Sequence, residues 1–256
     1  MVQFFKSTEI DREARRREWA DEFRAAHFGC IWDINPAVLN ALRAALTVGS
    51  EEPIQKVLTA NPYLIQYAVD HSGHHGIWVF PKPMIKPPAA DGTRGLIPDY
   101  LVATRSSLGY FWHIVELKRS DVQFARRDGR GFSQDAGKAI AQCSVYLSHF
   151  QDYIDAVRSN IRIDELIQPK GAIILIGNSA TENESQRRAR ANFIRSASNI
   201  NVVSYQRVVA SLDSDLHCAP RKGNDENNVA NPGKKIIEQE RRTCPSPSTA
   251  SRTARR

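Results

Sequence analysis

Two short charged motifs, Pro98-Asp99 and Glu116-Leu117-Lys118, have residue types and spacing that could do chemistry. Each motif adjoins a run of apolar, strand-forming residues, and side chains two positions apart on a strand project from the same face. Glu116 and Lys118 are therefore expected to point the same way, and Asp99 joins them if the two strands pair. Two converging carboxylates repel each other unless a cation lies between them, and Mg²⁺ takes oxygen ligands of this kind. The spacing predicts a metal-dependent phosphodiesterase site in which the lysine orients a water or stabilises negative charge.

The alternative for these motifs is an ordinary surface ion pair. A Glu-x-Lys pair on an exposed strand contributes little to stability and needs no function. The context of this pair favours chemistry, because the strand also contains Tyr110-Phe111-Trp112 and Ile114-Val115 and is predicted to be internal to its sheet. Charges on an internal strand are costly unless they are paired or bound to a metal ion.

The overall composition narrows the class of protein. The chain has 256 residues, of which 41% are hydrophobic, and a formal net charge of +7. This charge favours a polyanionic partner, nucleic acid before membrane. No apolar run approaches the length of a membrane span and the N-terminus lacks the apolar segment of a signal peptide. The cysteines are too scattered for a zinc ribbon or a disulfide framework, so we expect a cytoplasmic protein; they are Cys30, Cys143, Cys218 and Cys244.

Three regions follow from the composition along the chain. Residues 1–49 are predicted to form a helical N-terminal region, and residues 50–210 a single α/β domain. From about Asp213 onward Asn, Lys, Ser, Pro and Arg dominate. Such a segment cannot bury enough apolar surface to fold, so residues 211–256 are predicted to be a disordered basic tail.

Apolar periodicity predicts a mixed central sheet flanked by helices, an α/β fold. From residue 50 onward the predicted order is helix, strand, strand, strand, helix, strand, helix, strand. The second and third strands are expected to form an antiparallel hairpin. The predicted bounds are a charged helix Thr8–Phe28, helices Asn35–Leu46 and Ser50–Asn61, a strand Gly76–Pro81, the hairpin turn Arg105–Gly109, a helix Ser133–Val157, a strand Ala172–Gly177, a helix Glu184–Ser196 and a strand Ile200–Tyr205.

This order, with Pro98-Asp99 and Glu116-Leu117-Lys118 on the second and third strands, resembles the PD-(D/E)XK nuclease superfamily. The superfamily has a restriction-endonuclease-like core of order α-β-β-β-α-β. Gln142 and Tyr146, on the following helix, look like the Gln-x-x-x-Tyr element of its RecB-type branch. Within the superfamily the sequence is most similar to the Shedu-type domain, through Glu52-Pro53-Ile54-Gln55-Lys56-Val57-Leu58, Asn61-Pro62 and the two charged motifs. That domain is implicated in bacterial defence against phage.

The resemblance implies roles for the charged cluster. Asp99 and Glu116 would ligate Mg²⁺ or Mn²⁺, with the main-chain carbonyl of Leu117 as a third ligand. Lys118 would position the attacking water. The activity implied is the hydrolysis of DNA phosphodiester bonds, by an endonuclease or an exonuclease.

The resemblance also implies roles for residues on the flanking helices. Glu52 is expected to be a further metal ligand, in preference to Glu51, which lies nearer the start of its helix. Gln142 would hold the substrate or a water near the metal ion. Tyr146 would do the same, contact nucleic acid, or pack in the core.

Three arginines of the loop after the third strand, Arg126, Arg127 and Arg130, are candidates for phosphate contacts. An ordinary basic loop is the alternative. For the whole chain, the alternative to a nuclease is a catalytically inactive module of the same fold that binds nucleic acid or assembles with a partner. No membrane partner is expected, and a homo-oligomer remains open.

Overall fold

A mixed β-sheet lies at the centre of the structure, a computed structural model that describes residues 9–69, 76–90, 92, 94–197 and 199–218. Six strands of this described part lie side by side in chain order. The first four pair antiparallel, and the last two join them in parallel. The strands are β1 His27–Gly29, β2 Ile77–Pro81, β3 Tyr100–Ser106, β4 Gly109–Leu117, β5 Gly171–Leu175 and β6 Ile200–Val203.

Helices cover both faces of the sheet. The order α3, β2, β3, β4, α5, β5 reproduces the predicted α-β-β-β-α-β core, so the fold class is confirmed, with a short helix α4 between α3 and β2. The helices are α1 Glu9–Asp21, α2 Pro36–Val48, α3 Glu51–Ala60, α4 Tyr63–Gln66, α5 Gln134–Ile161, α6 Glu184–Ser196 and α7 Tyr205–Cys218.

Helices α2 and α5 begin at residues whose side chains cap them. The side chain of Asn35 accepts a hydrogen bond from the N–H of Val38 and Pro36 occupies the first turn of α2, as predicted. Ser133 caps α5 in the same way. Ser50 occupies the N-cap position of α3, as predicted, but its side chain makes no capping hydrogen bond.

Alternation along the strands divides the core into two layers. On one face, Leu101 and Ile114 pack in a cluster that includes Cys143 and Phe150 of α5. On the other face, Val102 and Val115 pack in a cluster with residues of α2, α3 and α7. Residues 99 and 116 share the parity of Leu101 and Ile114, so their side chains belong to the α5 face.

The structure corrects the predicted helix Thr8–Phe28. The helix α1 ends at Asp21, and Phe28 instead lies in β1, which pairs antiparallel with β2. A three-residue strand is too short to show a period of two, and this one forms because its backbone pairs with a partner fifty residues away. Gly29 also approaches the helical region closely, since a Cβ there would lie 2.5 Å from the main-chain nitrogen of Tyr63. The N-terminal region therefore contributes a strand to the sheet.

The structure also corrects the end of the predicted last strand. Strand β6 ends at Val203, and Tyr205 begins α7, which continues past Asp213 to Cys218. The spacing of the buried residues Tyr205, Val208, Val209 and Leu212 is helical. Residues 219–256, the rest of the predicted tail, lie outside the described residues. In the part of the chain that the structure describes, no helix is long and apolar enough to cross a membrane.

Candidate active site

The paired ends of β3 and β4 hold the two predicted carboxylates. Tyr100 lies opposite Val115 in the antiparallel register, so Asp99, one residue before β3, comes beside Glu116. The main-chain N–H of Leu117 donates to Oδ2 of Asp99 over 2.7 Å. Both acidic residues are buried, with 8% of Asp99 and 4% of Glu116 exposed. The hairpin therefore brings together two acids that are separated by a turn and two strands in the sequence.

Only one of the two carboxylate oxygens of Glu116 has a partner within the described part of the chain. Its Oε1 accepts a hydrogen bond from Nζ of Lys118 over 2.8 Å. Its Oε2 is buried and has no hydrogen-bond partner among the described residues. Burial, followed by the negative charge of Asp99, raises the pKa of Glu116 to about 7, although Lys118 opposes the shift. A buried carboxylate oxygen without a partner is costly, and a cation beside it would relieve that cost.

Lys118 keeps its proton at neutral pH. Burial lowers its pKa, but the charge and hydrogen bond of Glu116 outweigh the burial, so the pKa is raised overall. The hydroxyl of Tyr205 donates to the main-chain carbonyl of Lys118 over 2.7 Å and fixes the backbone there. A protonated lysine suits the positioning of water and the stabilisation of negative charge better than the removal of a proton.

A second lysine, Lys82, belongs to the cluster and was not predicted. Its ammonium forms an ion pair with Oδ1 of Asp99, and its main-chain N–H donates to the carbonyl of Asp99. The backbone of Lys82 has a φ of 49°, in the left-handed region that non-glycine residues seldom occupy. Residues in such conformations are concentrated at functional sites. Each carboxylate of the cluster is thus paired with its own lysine.

Of the two acids at the start of α3, the structure brings Glu51 towards the cluster. Burial raises the pKa of Glu51, and the charges of Lys118 and Asp99 act on it in opposite directions. Glu52 is exposed and lines a groove on the other side of α3. Glu51 therefore feels the charges of Asp99 and Lys118, whereas the predicted Glu52 faces the groove.

Helix α5 places Tyr146 against the cluster. Burial raises the pKa of Tyr146, and the charges of Glu116 and Asp99 raise it further, whereas a hydrogen bond with Gln142 lowers it. The hydroxyl of Tyr146 donates to the carbonyl of Ile97 over 3.4 Å. Gln142 is exposed, on the turn of α5 before Tyr146. Tyr146 is therefore buried beside the carboxylates, and Gln142 lies next to it at the surface.

The three loop arginines Arg126, Arg127 and Arg130 are all exposed. Their loop packs against the start of α6, because a Cβ on Gly129 would lie 2.7 Å from the carbonyl oxygen of Ser185. Arg126 lies 3.9 Å from Asp128 in an exposed ion pair. No contact between these arginines and the carboxylates is found among the described residues, so the structure keeps them apart from the cluster.

The two buried carboxylates are a donor set of the kind that hard divalent cations use. Among the described residues, no group of three or more His, Cys, Asp or Glu side chains could hold a metal ion by itself. Structural zinc sites use four such protein ligands. Mg²⁺ instead is often held by one or two carboxylates and keeps waters and substrate phosphates as its other ligands. The carboxylates of Asp99 and Glu116, with the unsatisfied Oε2 of Glu116, match that second pattern.

Comparison with known families agrees with the resemblance to the Shedu-type domain. The family model described as "Shedu protein SduA, C-terminal" matches residues 49–209, more than half of the chain. The chain belongs to the Shedu family. No curated protein matches it. The matched range begins just before α3 and ends within α7, so the Shedu domain contains the whole carboxylate cluster. Membership of this family points to anti-phage defence.

Two residues that contact the cluster, Lys82 and Tyr205, were not predicted from the sequence to lie there. Lys82 stands between two prolines directly after a predicted strand, and a charged residue there is a signal that could have been used. Tyr205 could have been assigned to a helix from its spacing with Val208, Val209 and Leu212. The preference for Glu51 over Glu52 had no such signal, because adjacent helix residues point about 100° apart and only the packing of α3 decides which one faces the cluster.

Proposed function

We propose that this Shedu-family chain is a metal-dependent nuclease of the PD-(D/E)XK type that hydrolyses DNA phosphodiester bonds in anti-phage defence. The observation that carries the proposal is the convergence of Asp99, Glu116 and Lys118 at one end of the β3–β4 hairpin. The α-β-β-β-α-β order of the core supports it. The scattered cysteines are compatible with action in the cytoplasm.

In this proposal Asp99, Glu116 and the main-chain carbonyl of Leu117 hold Mg²⁺ or Mn²⁺, with Glu51 as a further acid. When bound, such an ion polarises the phosphate and lowers the pKa of a bound water. Glu116 prepares the site for it, because burial raises the pKa of this carboxyl to about 7 and leaves one oxygen without a partner. Glu116 would release the proton that it otherwise holds when it ligates the cation.

Lys118 and Gln142 act on the substrate side. The ammonium of Lys118, held by Glu116, orients the attacking water and stabilises the negative charge that develops on the phosphate. Gln142 is exposed on α5 and shares a hydrogen bond with Tyr146, and it holds a substrate oxygen or a water. The exposed arginines Arg126, Arg127 and Arg130 contact phosphates further along the DNA.

The test is a cleavage assay on linear, circular and single-stranded DNA, with Mg²⁺ and with chelator. Wild type should cut only with the metal ion present, and Asp99→Ala and Lys118→Ala should each lose at least about 100-fold in rate, as expected for the removal of groups that stabilise the transition state. Arg195→Ala, on the exposed face of α6, is a control that should cut normally. Unchanged cleavage in both site variants would remove these residues from the mechanism.

A second candidate is a module of the same fold that binds nucleic acid, or assembles into a homo-oligomer, without cutting. The ion pair of Lys82 with Asp99 favours it, because a lysine there supplies the positive charge that a metal ion would otherwise supply. Calorimetric titration with Mn²⁺ separates the two candidates. Uptake of Mn²⁺ that Asp99→Asn abolishes supports the nuclease, whereas DNA binding without metal uptake supports the binding module.

A further inference from the structure

Both carboxylate oxygens of Asp99 have partners within the protein. Oδ2 accepts the hydrogen bond from the main-chain N–H of Leu117 over 2.7 Å, and Oδ1 forms the ion pair with the ammonium of Lys82. The proposed function requires Asp99 to ligate a divalent cation. An ammonium and a divalent cation on the same oxygen repel each other, so Lys82 must leave Oδ1 before Asp99 can become a metal ligand.

The two lysines of the cluster differ in their freedom to move. The side chain of Lys118 is 12% exposed and that of its partner Glu116 is 5% exposed, so this pair is buried. The side chain of Lys82 is 52% exposed, although that of its partner Asp99 is only 11% exposed. Lys82 also lines the groove that Glu52 faces, so open space lies beside it. The ammonium of Lys82 can therefore leave Asp99 and remain in water, whereas separation of the other pair would leave buried charges without partners.

The backbone of Lys82 is held in place while the side chain is free to move. Its main-chain N–H donates to the carbonyl of Asp99 over 2.9 Å. Lys82 also stands between Pro81 and Pro83, whose rings fix their own φ angles and restrain the chain on both sides. Movement is thus confined to the long, flexible side chain, and a released ammonium stays close to the cluster.

The balance of charge in the cluster indicates where the released ammonium goes. The formal charges of the two carboxylates are balanced by those of their two lysine partners. A divalent cation added alone would therefore leave excess positive charge, even with Glu51 ionised. A backbone phosphate of DNA carries negative charge, and lysine binds phosphate as a point charge. The substrate thus supplies a new partner for Lys82 and the negative charge that the cluster then needs.

We propose that Lys82 is a substrate-binding residue that moves from Asp99 to a backbone phosphate of DNA and thereby couples metal binding to DNA binding. The inference rests on the proposed nuclease function and adds a regulation of that site. Without DNA, Lys82 holds Asp99 and the affinity for the metal ion is low. With DNA, the phosphate holds Lys82, and Asp99 becomes available as a ligand. Because coupling between two ligands is reciprocal, the metal ion strengthens DNA binding by the same factor.

Two titrations of the full wild-type chain measure this coupling. The DNA is a fluorescent oligonucleotide with phosphorothioate linkages, which resist hydrolysis, used as a single strand or as a duplex, whichever binds more tightly. Calorimetry gives the affinity for Mn²⁺ with and without the DNA, and polarisation gives the affinity for the DNA with Mn²⁺ and with chelator. Each affinity should rise at least about tenfold when the other ligand is present. Equal affinities would overturn the proposal whatever the variants do.

Lys82→Met separates coupling through Lys82 from direct contact between the metal ion and DNA. Without DNA, the variant should bind Mn²⁺ about tenfold more tightly than wild type, because Oδ1 of Asp99 is available. In Mn²⁺ it should bind DNA at least about fivefold more weakly than wild type, because the contact with the phosphate is lost. A residue that only supports the fold would change both affinities in the same direction.

Two further variants control for charge and position. Lys82→Arg keeps the positive charge and should behave as wild type does in both titrations. Lys86→Met removes a positive charge from the same segment and should change neither affinity.

An unchanged affinity of Lys82→Met for DNA in Mn²⁺ would overturn the transfer of Lys82 to the substrate while leaving metal-dependent cleavage by wild type intact. Weaker binding of Mn²⁺ by this variant would also overturn it. If wild type neither takes up Mn²⁺ nor cuts DNA, the proposed function itself fails and the inference falls with it. The two failures are therefore distinguishable.

Discussion

The main-chain N–H of Leu117 donates a hydrogen bond to Oδ2 of Asp99 over 2.7 Å. This bond joins the start of β3 to the end of β4, and it fixes the carboxylate of Asp99 next to that of Glu116. The register of the hairpin therefore holds the two acids side by side despite their repulsion. Neither acid can turn away from the other without breaking a buried hydrogen bond or an ion pair.

The stability of the metal-free protein should fall as pH rises through the range in which Glu116 ionises. Burial and Asp99 raise the pKa of Glu116 from 4.5 to about 7. Between these values the folded state holds a proton that the unfolded state has released, so stability is lost as pH rises towards the folded pKa. The loss from this carboxyl amounts to at most about 3 kcal/mol. Urea unfolding at several pH values in chelator measures it.

Glu116→Gln is the control for this pH dependence. The variant cannot ionise, so its stability should change less with pH between 4.5 and about 7 than that of wild type. Equal slopes in the two proteins would show that Glu116 does not carry the effect. Added Mn²⁺ should restore the stability of wild type above neutral pH, because a ligand that binds the folded state stabilises it.

Lys82→Met should bind Mn²⁺ more tightly than wild type. The ammonium of Lys82 competes with a divalent cation for Oδ1 of Asp99, and its removal leaves that oxygen available. A gain of about tenfold in affinity, worth about 1.4 kcal/mol, is expected by calorimetry. Lys86→Met, four residues further along the same segment and without an ion pair among the described residues, is the matched control. Weaker Mn²⁺ binding by Lys82→Met would instead make Lys82 a support of the site.

Lys118→Met should destabilise the protein by up to about 3 kcal/mol at neutral pH, because it leaves the Glu116 carboxylate buried without a partner. Glu116 can take up a proton in this variant, and that limits the loss of stability. The double variant Glu116→Gln/Lys118→Met should recover part of it, since the unpaired charge is gone. Urea unfolding of the four proteins gives the coupling energy between the two residues. If the stability losses of the two single variants add up to that of the double variant, the coupling energy between Glu116 and Lys118 is zero.

Glu51→Gln and Glu52→Gln form a matched pair that tests which acid of α3 belongs to the site. Glu51→Gln should weaken Mn²⁺ binding several-fold, because Glu51 lies within the field of Asp99 and Lys118. Glu52→Gln should leave Mn²⁺ binding unchanged, because Glu52 faces the groove. Calorimetry on both variants decides the matter, and the reverse result would restore the prediction made from sequence.

Local patterns were enough to predict the core elements. Helix α6 has the predicted bounds, Glu184–Ser196, because Asn183 directly before it caps its first turn. The β3–β4 hairpin was predicted because two apolar strands flank a short turn. Where a partner distant in sequence forms the element, as for β1, no local signal exists. Helix α7 was missed for a different reason, since Tyr205 was assigned to the preceding strand although Val208, Val209 and Leu212 follow it at helical spacing.

The sequence by itself determined the pair of acids and the lysine, because a period of two places Glu116 and Lys118 on one face and the hairpin register brings Asp99 beside them. Only the tertiary structure decided the rest of the site. The ion pair of Lys82 with Asp99 depends on how the segment after β2 turns back, and the effect of Asp99 and Lys118 on the pKa of Glu51 depends on how α3 packs. Both are set by contacts between distant parts of the chain, which local periodicity does not record.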